Sequence, residues 1–408
     1  MSTTVHKRHV LYFTGFDPRG PAHYHRLYEE QAQLQSAIQN YQITVGPRSN
    51  HSKISTSWMV YFEDQTGNSV ETTYDFARWD DVVRNHWTKH QWQIAINTLK
   101  TSFDYVIQGV AWKFLKRTWP AFLALFMPAT MLLTALALWA LGLITSIDLL
   151  IQGQSPLLIA LGYAGFFLAI LFALLWCENQ FHMSWLMRSF HFTRESMLGR
   201  APDLQERLDE LADHIAHIVA HSDVDEVLLV GHSTGGGMAV SALARAWEKH
   251  HSIISQDRWN TVSLLTLGQW FPLLSLMKEA APMRHELSTV AKQFSSQWVD
   301  VSAPPDGCCT ALVDPLDAVR QMEHLECPSP KLLSPRFQTL FTKEGYRQLK
   351  RDRFRLHFQY LMAAPLVGTY DYFWITAGPQ RLVKIFQEML PVQNFQVTKM
   401  SLSKIFRK

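Results

Sequence analysis

One serine in this chain stands where it could act as a nucleophile. Gly231-His-Ser-Thr-Gly235 fits the pattern G-x-S-x-G, in which a serine on a sharp strand-to-helix turn needs neighbours without a Cβ. Five residues with two glycines recur by chance, so the context decides. Here the apolar run Val227-Leu-Leu-Val230 leads in, and Gly235, Gly236, Gly237, Met238 and Ala239 lead out. They give a thin helix start whose dipole favours a developing negative charge. A phosphate cradle is the competing reading of so many glycines, but the stretch has neither the lysine of a P-loop nor the spacing G-x-G-x-x-G. Ser233 is therefore expected to be a nucleophile, with Gly231 and Gly235 shaping its elbow.

Such a turn needs a sheet behind it. His9 to Gly15 reads as a buried strand, followed by the turn residues Phe16 to Pro21 and a helix from about Ala22 to Gln39. Tyr41 to Val45 is a second strand, and Trp58 to Glu63 with Val70 to Tyr74 reads as a hairpin around Gln65-Thr-Gly-Asn68. Trp79 to Lys116 is mostly helical, with Phe103 to Val110 open to a strand reading. Later, Pro202 to His221 has helical periodicity, Glu226 to Val230 is a short strand, and a helix runs from Gly236 to His250. Further strands are expected at Val262 to Leu267 and Gln297 to Ser302. Strands alternating with helices imply an α/β fold with a mainly parallel sheet flanked by helices.

Between these halves lies a segment of another kind. No charged residue occurs from Thr118 to Ile147 or from Leu149 to Cys177. The windows 122–144 and 157–176 each supply the roughly 20 apolar residues that a transmembrane helix needs. Lys113, Lys116 and Arg117 precede the pair and Arg188, Arg194 and Arg200 follow it, while the connector carries no Lys or Arg. The basic bias predicts a two-span hairpin in a lipid bilayer with both flanks cytoplasmic. Trp112, Trp119, Trp176 and Trp185 fall near the cytoplasmic ends, where amphipathic rings prefer the headgroups. The expected division is 1–117, a hairpin within 118–180, and 181–408.

With its strand lead-in and glycine-rich exit, the serine turn resembles the nucleophile elbow of the α/β-hydrolase superfamily, in its lipase and esterase-like branch. The resemblance covers both flanks and makes the hairpin an insertion into one hydrolase domain. It implies that the turn after the first strand supplies an oxyanion donor, which puts the backbone N–H groups of Phe16 and Thr234 in that role. The family's triad order of serine, acid, histidine then directs the search downstream. Asp306, in the loop after Trp298-Val-Asp-Val-Ser302, is the favoured acid, with Asp300 and Asp314 as alternatives and Asp317 also in range. His357, near the C-terminus, is the favoured base; His285 precedes the acid, and His324 reads as part of a surface helix. The implied activity is hydrolysis of a carboxylic ester or thioester, on a small molecule or a lipid, by an acyl-enzyme that needs no cofactor and no metal. A non-catalytic membrane scaffold and an acyltransferase are the alternatives.

Other features carry less. His214, His217 and His221 have helical spacing that suits either zinc or a solvated face, the latter favoured because no second ligand cluster accompanies them. Cys308-Cys309 could sense redox state or be ordinary thiols, and Asp17 with Arg19 could touch substrate or brace their own turn. The chain has 38 basic and 35 acidic side chains, a net charge of +3 that gives no argument for nucleic acid. Four cysteines without a CxxC pair are no disulfide framework and suit a reducing compartment. A hydrophobic share of 47% in 408 residues is ample for a buried core.

Overall fold

The computed structural model describes residues 4–50 and 52–392. Its strands are β1 (Lys7–Phe13), β2 (Tyr41–Val45), β3 (Ser49–Asn50), β4 (Ser55–Asp64), β5 (Ser69–Ala77), β6 (Glu226–His232), β7 (Val262–Leu267), β8 (Trp298–Val301) and β9 (Lys331–Leu333). They form one sheet in the order β2-β4-β5-β1-β6-β7-β8-β9, with β3 paired to β4. From β5 to β9 every pair is parallel, whereas β2, β3 and β5 pair antiparallel with β4. The sheet is thus mixed, because the Gln65-Thr-Gly-Asn68 turn folds two long strands into a hairpin. Asp64 closes that turn, accepting from the backbone N–H groups of Thr66 and Asn68.

The central strands are apolar at nearly every position because both faces are covered. Leu11, Phe13, Val227, Leu229, Val262 and Leu264 point to one core. Val10, Tyr12, Leu228, Val230, Leu265 and Leu267 point to the other. On the first face lie the helices α8 (Pro202–His221) and α9 (Thr234–His250); on the second lies α1 (Pro21–Gln39) with the chain after β9. Residues 80–117 form α2 (Asp80–Asn85), α3 (Gln91–Ile107) and α4 (Val110–Arg117). Phe103 to Val110 is therefore helix and turn, not strand; Thr98, Thr101, Ser102 and Tyr105 form a buried stripe at helical spacing that outweighs the local β-propensity.

Two helices, α5 (Trp119–Ile151) and α6 (Pro156–Phe181), are long and apolar enough to cross a membrane. They run back against each other, with Trp139 stacked on Phe167 and Gly142 leaving room for Phe166 and Tyr163. The foot of α5 belongs to the domain: Ala121 and Leu125 are buried in its core, and Met127, Met131 and Leu132 pack beside Ile94 and Met187. Beyond that foot its outward apolar side chains run from Leu133 to Ile151, with Trp119 and Leu123 also exposed nearer its start, and the helix contains the window 122–144. From α6 the chain enters α7 (Met183–Met197) through His182, in the left-handed region at φ 47°.

Candidate active site

β1 and β6 are parallel neighbours with Phe13 opposite Gly231. This register sets the turn Thr14-Gly15-Phe16 beside His232-Ser233-Thr234 at one edge of the sheet. Ser233 follows β6 and caps α9 with φ 57° and ψ −125°, a conformation that costs an L-residue of order 1–3 kcal/mol. The surroundings hold it there. A Cβ on Gly235 would lie 2.1 Å from the Phe13 carbonyl oxygen, and one on Gly231 would lie 2.5 Å from that of Gly235. Both positions exclude any side chain. Ser233 N–H also donates to the Leu267 carbonyl at 2.9 Å, tying the turn to β7.

Asp306 and His357 meet at the same edge. The His357 Nδ1 and Asp306 Oδ2 atoms are 2.8 Å apart. The opposite carboxylate oxygen accepts the Cys308 N–H at 2.9 Å, and Tyr360 Oη donates to Oδ2 at 3.1 Å. Burial alone would raise the Asp306 carboxyl, but the facing His357 and the Cys308 N–H carry it below its ordinary value. Asp306 therefore holds a negative charge against one ring nitrogen and leaves His357 Nε2 for other work. The alternative acids are engaged elsewhere. Asp300 is fully buried within β8, accepting from Thr266 Oγ1 at 2.5 Å and from Gln269 Nε2 at 3.3 Å; burial pushes it up to about 7. Asp314 pairs with Arg320 at 2.9 Å, and Asp317 pairs with Arg117. His285 faces Glu248, and His324 caps the helix Asp317–Glu323 with an exposed ring.

Ser233 and His357 line one cavity, together with Gly15, Phe16, Thr234 and Cys308. The Ser233 hydroxyl makes no hydrogen bond among the described residues, as is common before a substrate draws nucleophile and base together. The Thr234 N–H is the first of α9 and has no carbonyl within the helix to bond. The Phe16 N–H makes no hydrogen bond among the described residues either, so two backbone donors flank Ser233. The turn that carries Phe16 is braced from several sides. Trp185 Nε1 donates to the Phe16 carbonyl at 2.8 Å, Trp79 Nε1 donates to that of Thr14 at 3.1 Å, and Thr14 Oγ1 donates to Tyr24 Oη at 2.6 Å.

Asp17 is buried and accepts from Tyr24 Oη at 2.7 Å, while two nitrogens of Arg19 grip its carboxylate. The Arg19 guanidinium also stacks against Trp185, Phe354 and Phe358. The pair braces its own turn.

Three contributors escaped sequence reasoning. His232 is buried beside Ser233, its Nε2 2.9 Å from the His357 carbonyl; burial and the neighbouring His357 lower it to about 3, so it stays neutral. Only its place inside the G-x-S-x-G pattern marks it. The sequence suggests an interfacial ring for Trp185, and nothing in its local pattern reveals the bond to Phe16. Tyr360 lies three residues past His357, a spacing that on a single helical turn brings both side chains to Asp306.

The histidines of α8 do not gather. His214 faces Asp75 at 2.8 Å, while the rings of His217 and His221 lie against each other on the exposed face. Among the described residues no group of three possible ligands is placed to hold a metal ion. The Cys308 thiol lines the cavity, yet burial and the nearby Asp306 push it up, away from thiolate reactivity. Cys309 is buried against Asp306, its Sγ 3.4 Å from the carbonyl. No protein-family model, curated protein or solved structure matches the chain.

Proposed function

We propose that this protein is a membrane-anchored serine hydrolase of the α/β-hydrolase type, acting on a carboxylic ester or thioester through Ser233, His357 and Asp306. The observation that carries the reading is the convergence of three separate segments: the strained Ser233 turn and His357 line one cavity, and Asp306 backs the histidine from behind it. In the reaction, His357 Nε2 takes the proton of Ser233 as Oγ attacks the carbonyl carbon, while Asp306 keeps Nδ1 protonated and facing it. The Phe16 and Thr234 N–H groups receive the oxyanion, each worth about 3 kcal/mol in the transition state. His357 returns the proton to the departing alcohol or thiol as the C–O or C–S bond breaks. Water then repeats the cycle to free the acid and restore the serine.

Order along the chain supports the hydrolase reading. Nucleophile, acid and histidine follow β6, β8 and β9, all from the same end of parallel strands, where open α/β sheets place their ligands. The basic flanks of the hairpin favour a cytoplasmic site. A fluorophosphonate probe tests the proposal on the detergent-solubilised full chain. The expected result is covalent labelling of the wild type and none of Ser233→Ala; labelling of neither, or of both, sinks it and returns the fold to a scaffold role.

A further inference from the structure

We infer that Ser233 acts on the ester of a bilayer-resident lipid, which enters the site from the membrane at the joint between α6 and α7. The inference rests on the proposed nucleophile and on α5 and α6 as membrane spans. Its own evidence is the way the feet of the two spans are built into the site.

The last residue of α6, Phe181, lines the Ser233 cavity, followed by His182 and by Trp185, Leu186 and Phe190 of α7. One wall of the cavity is thus a direct continuation of the second span. The opposite wall is the helix Arg353–Phe358, which carries His357. Its Phe354 packs on His182 at 4.8 Å and on Trp185 at 5.3 Å. The foot of the first helix comes near the site as well: a Cβ on Gly307, next to the acid Asp306, would lie 3.8 Å from the Pro120 carbonyl at the start of α5. A soluble domain merely tethered to a membrane needs no such joinery.

Depth along α6 points the same way. Trp176 is 54% exposed and is the last of the large outward apolar side chains on that helix. Phe181 follows five residues later, about 7 Å along the axis. A headgroup layer beyond the hydrocarbon is roughly 5–7 Å thick on each side. Phe181 and the cavity wall it begins therefore lie at the level of the headgroups, a few ångströms above the ester carbonyls of acyl lipids at the edge of the hydrocarbon. The chain that follows such a carbonyl can stay in the bilayer while the carbonyl reaches Ser233, so only a short movement along apolar walls is required.

Two fluorophosphonates in phosphatidylcholine vesicles holding the full-length protein test this route, one with a hexadecyl chain and one with an ethyl group. In each, Ser233 Oγ forms the new P–O bond as fluoride leaves. The expected result is labelling of Ser233 by both, with the hexadecyl rate falling as the probe is diluted into more lipid at constant bulk concentration. Phe181→Glu puts a charge at the mouth and should lower the ratio of hexadecyl to ethyl labelling by about tenfold or more. Since each ratio is taken within one protein, partial misfolding cancels, and Phe181→Leu should hold the wild-type ratio. Labelling by the ethyl probe alone, or an unchanged ratio in Phe181→Glu, overturns the membrane route and leaves the hydrolase reading standing. Labelling by neither overturns the nucleophile itself.

Discussion

Two places in this protein bring a serine, a histidine and an aspartate together. At one edge of the sheet Asp306 faces His357 at 2.8 Å, and Ser233 shares a cavity with the histidine. Elsewhere Asp75 on β5 faces His214 at 2.8 Å and His9 at 3.5 Å, and Ser55 on β4 donates directly to its carboxylate. The residue types are the same, but the wiring is not. In the first, the histidine has one nitrogen on the acid and the other without a hydrogen bond among the described residues, so it can stand between acid and serine. In the second, the acid stands in the middle, and its charge is spent on holding the serine and both rings. Ser55 lies in an ordinary strand, whereas Ser233 is held at φ 57°. What separates a candidate catalytic group from a structural knot is the order of the contacts and the strain on the serine.

The sharpest way to break this contrast is to remove each serine. Ser233→Ala is expected to cut kcat on an activated ester by about a millionfold, the usual loss when a triad nucleophile goes. Ser55→Ala should leave turnover within about threefold of wild type, since only one buried hydrogen bond is lost. A kinetic comparison of the two purified variants decides it, and a collapse of turnover in a folded Ser55→Ala would erase the distinction.

Next come the acids. Asp306→Asn should lower kcat by about ten-thousandfold, because an amide leaves His357 in the wrong tautomer. Asp75→Asn should act on stability instead, by about 2 kcal/mol, as the donors around a buried carboxylate lose their charge-assisted bonds. Burial would raise Asp75, yet the hydrogen bond from His214 and the nearby His9 carry it below its ordinary value of 3.8. A depressed carboxyl stabilises the fold above its unfolded value and loses that contribution as pH falls through the folded one. Denaturant midpoints of the wild type and Asp75→Asn should therefore converge below about pH 4; midpoints that stay equally apart there would contradict the assignment.

How much of this was readable beforehand follows the range of the forces involved. The apolar runs around Val10, Leu228 and Leu264 announce central strands because burial on both faces leaves no polar positions. The glycines around Ser233 announce the elbow because the backbone approaches so closely that a Cβ on Gly235 would lie 2.1 Å from the Phe13 carbonyl oxygen. β9 is only Lys331 to Leu333 and has no period to detect. The antiparallel edge is visible as a hairpin, but pairing it onto β1 through β5 depends on contacts remote in sequence. The same limit applies to the site. Asp300, Asp306, Asp314 and Asp317 are chemically alike and lie within 18 residues; which one meets a histidine depends on how the chain leaves β8. The service of Trp185 to the Phe16 turn spans 169 positions and has no local trace.

Asp300 supplies a third case, a buried carboxyl with no histidine at all. Burial raises it to about 7, against hydrogen bonds from Thr266 and Gln269 that only partly offset the cost. Its sign is opposite to that of Asp75: the favourable contribution is complete below about pH 4 and is lost as pH rises through about 7. The loss amounts to at most about 4 kcal/mol. Denaturant midpoints at pH 5 and pH 8 should show the wild type weakening by more than Asp300→Asn does. Parallel curves would mean that the two neutral donors satisfy the charge as well as histidines do, and the contrast between charged and neutral partners would fall.

Tyr360 refines the comparison at the smallest scale. Its hydroxyl accepts the Ala303 N–H at 2.8 Å and donates to Asp306 at 3.1 Å, so it fixes the acid-bearing loop and the carboxylate together. Asp75 receives its hydroxyl from a serine on a neighbouring strand, where the backbone is already rigid. The loop after β8 has no such support, which is why the phenol should matter to rate and not only to stability. Tyr360→Phe keeps the ring against Phe337 and removes one charge-assisted bond, a loss of about tenfold in kcat. KM should stay near the wild-type value, because the hydroxyl is turned to Asp306 and not to the cavity. A change confined to KM would move Tyr360 from holding the acid to shaping the pocket, and the rigidity of the strand would no longer explain why Asp75 does without a tyrosine.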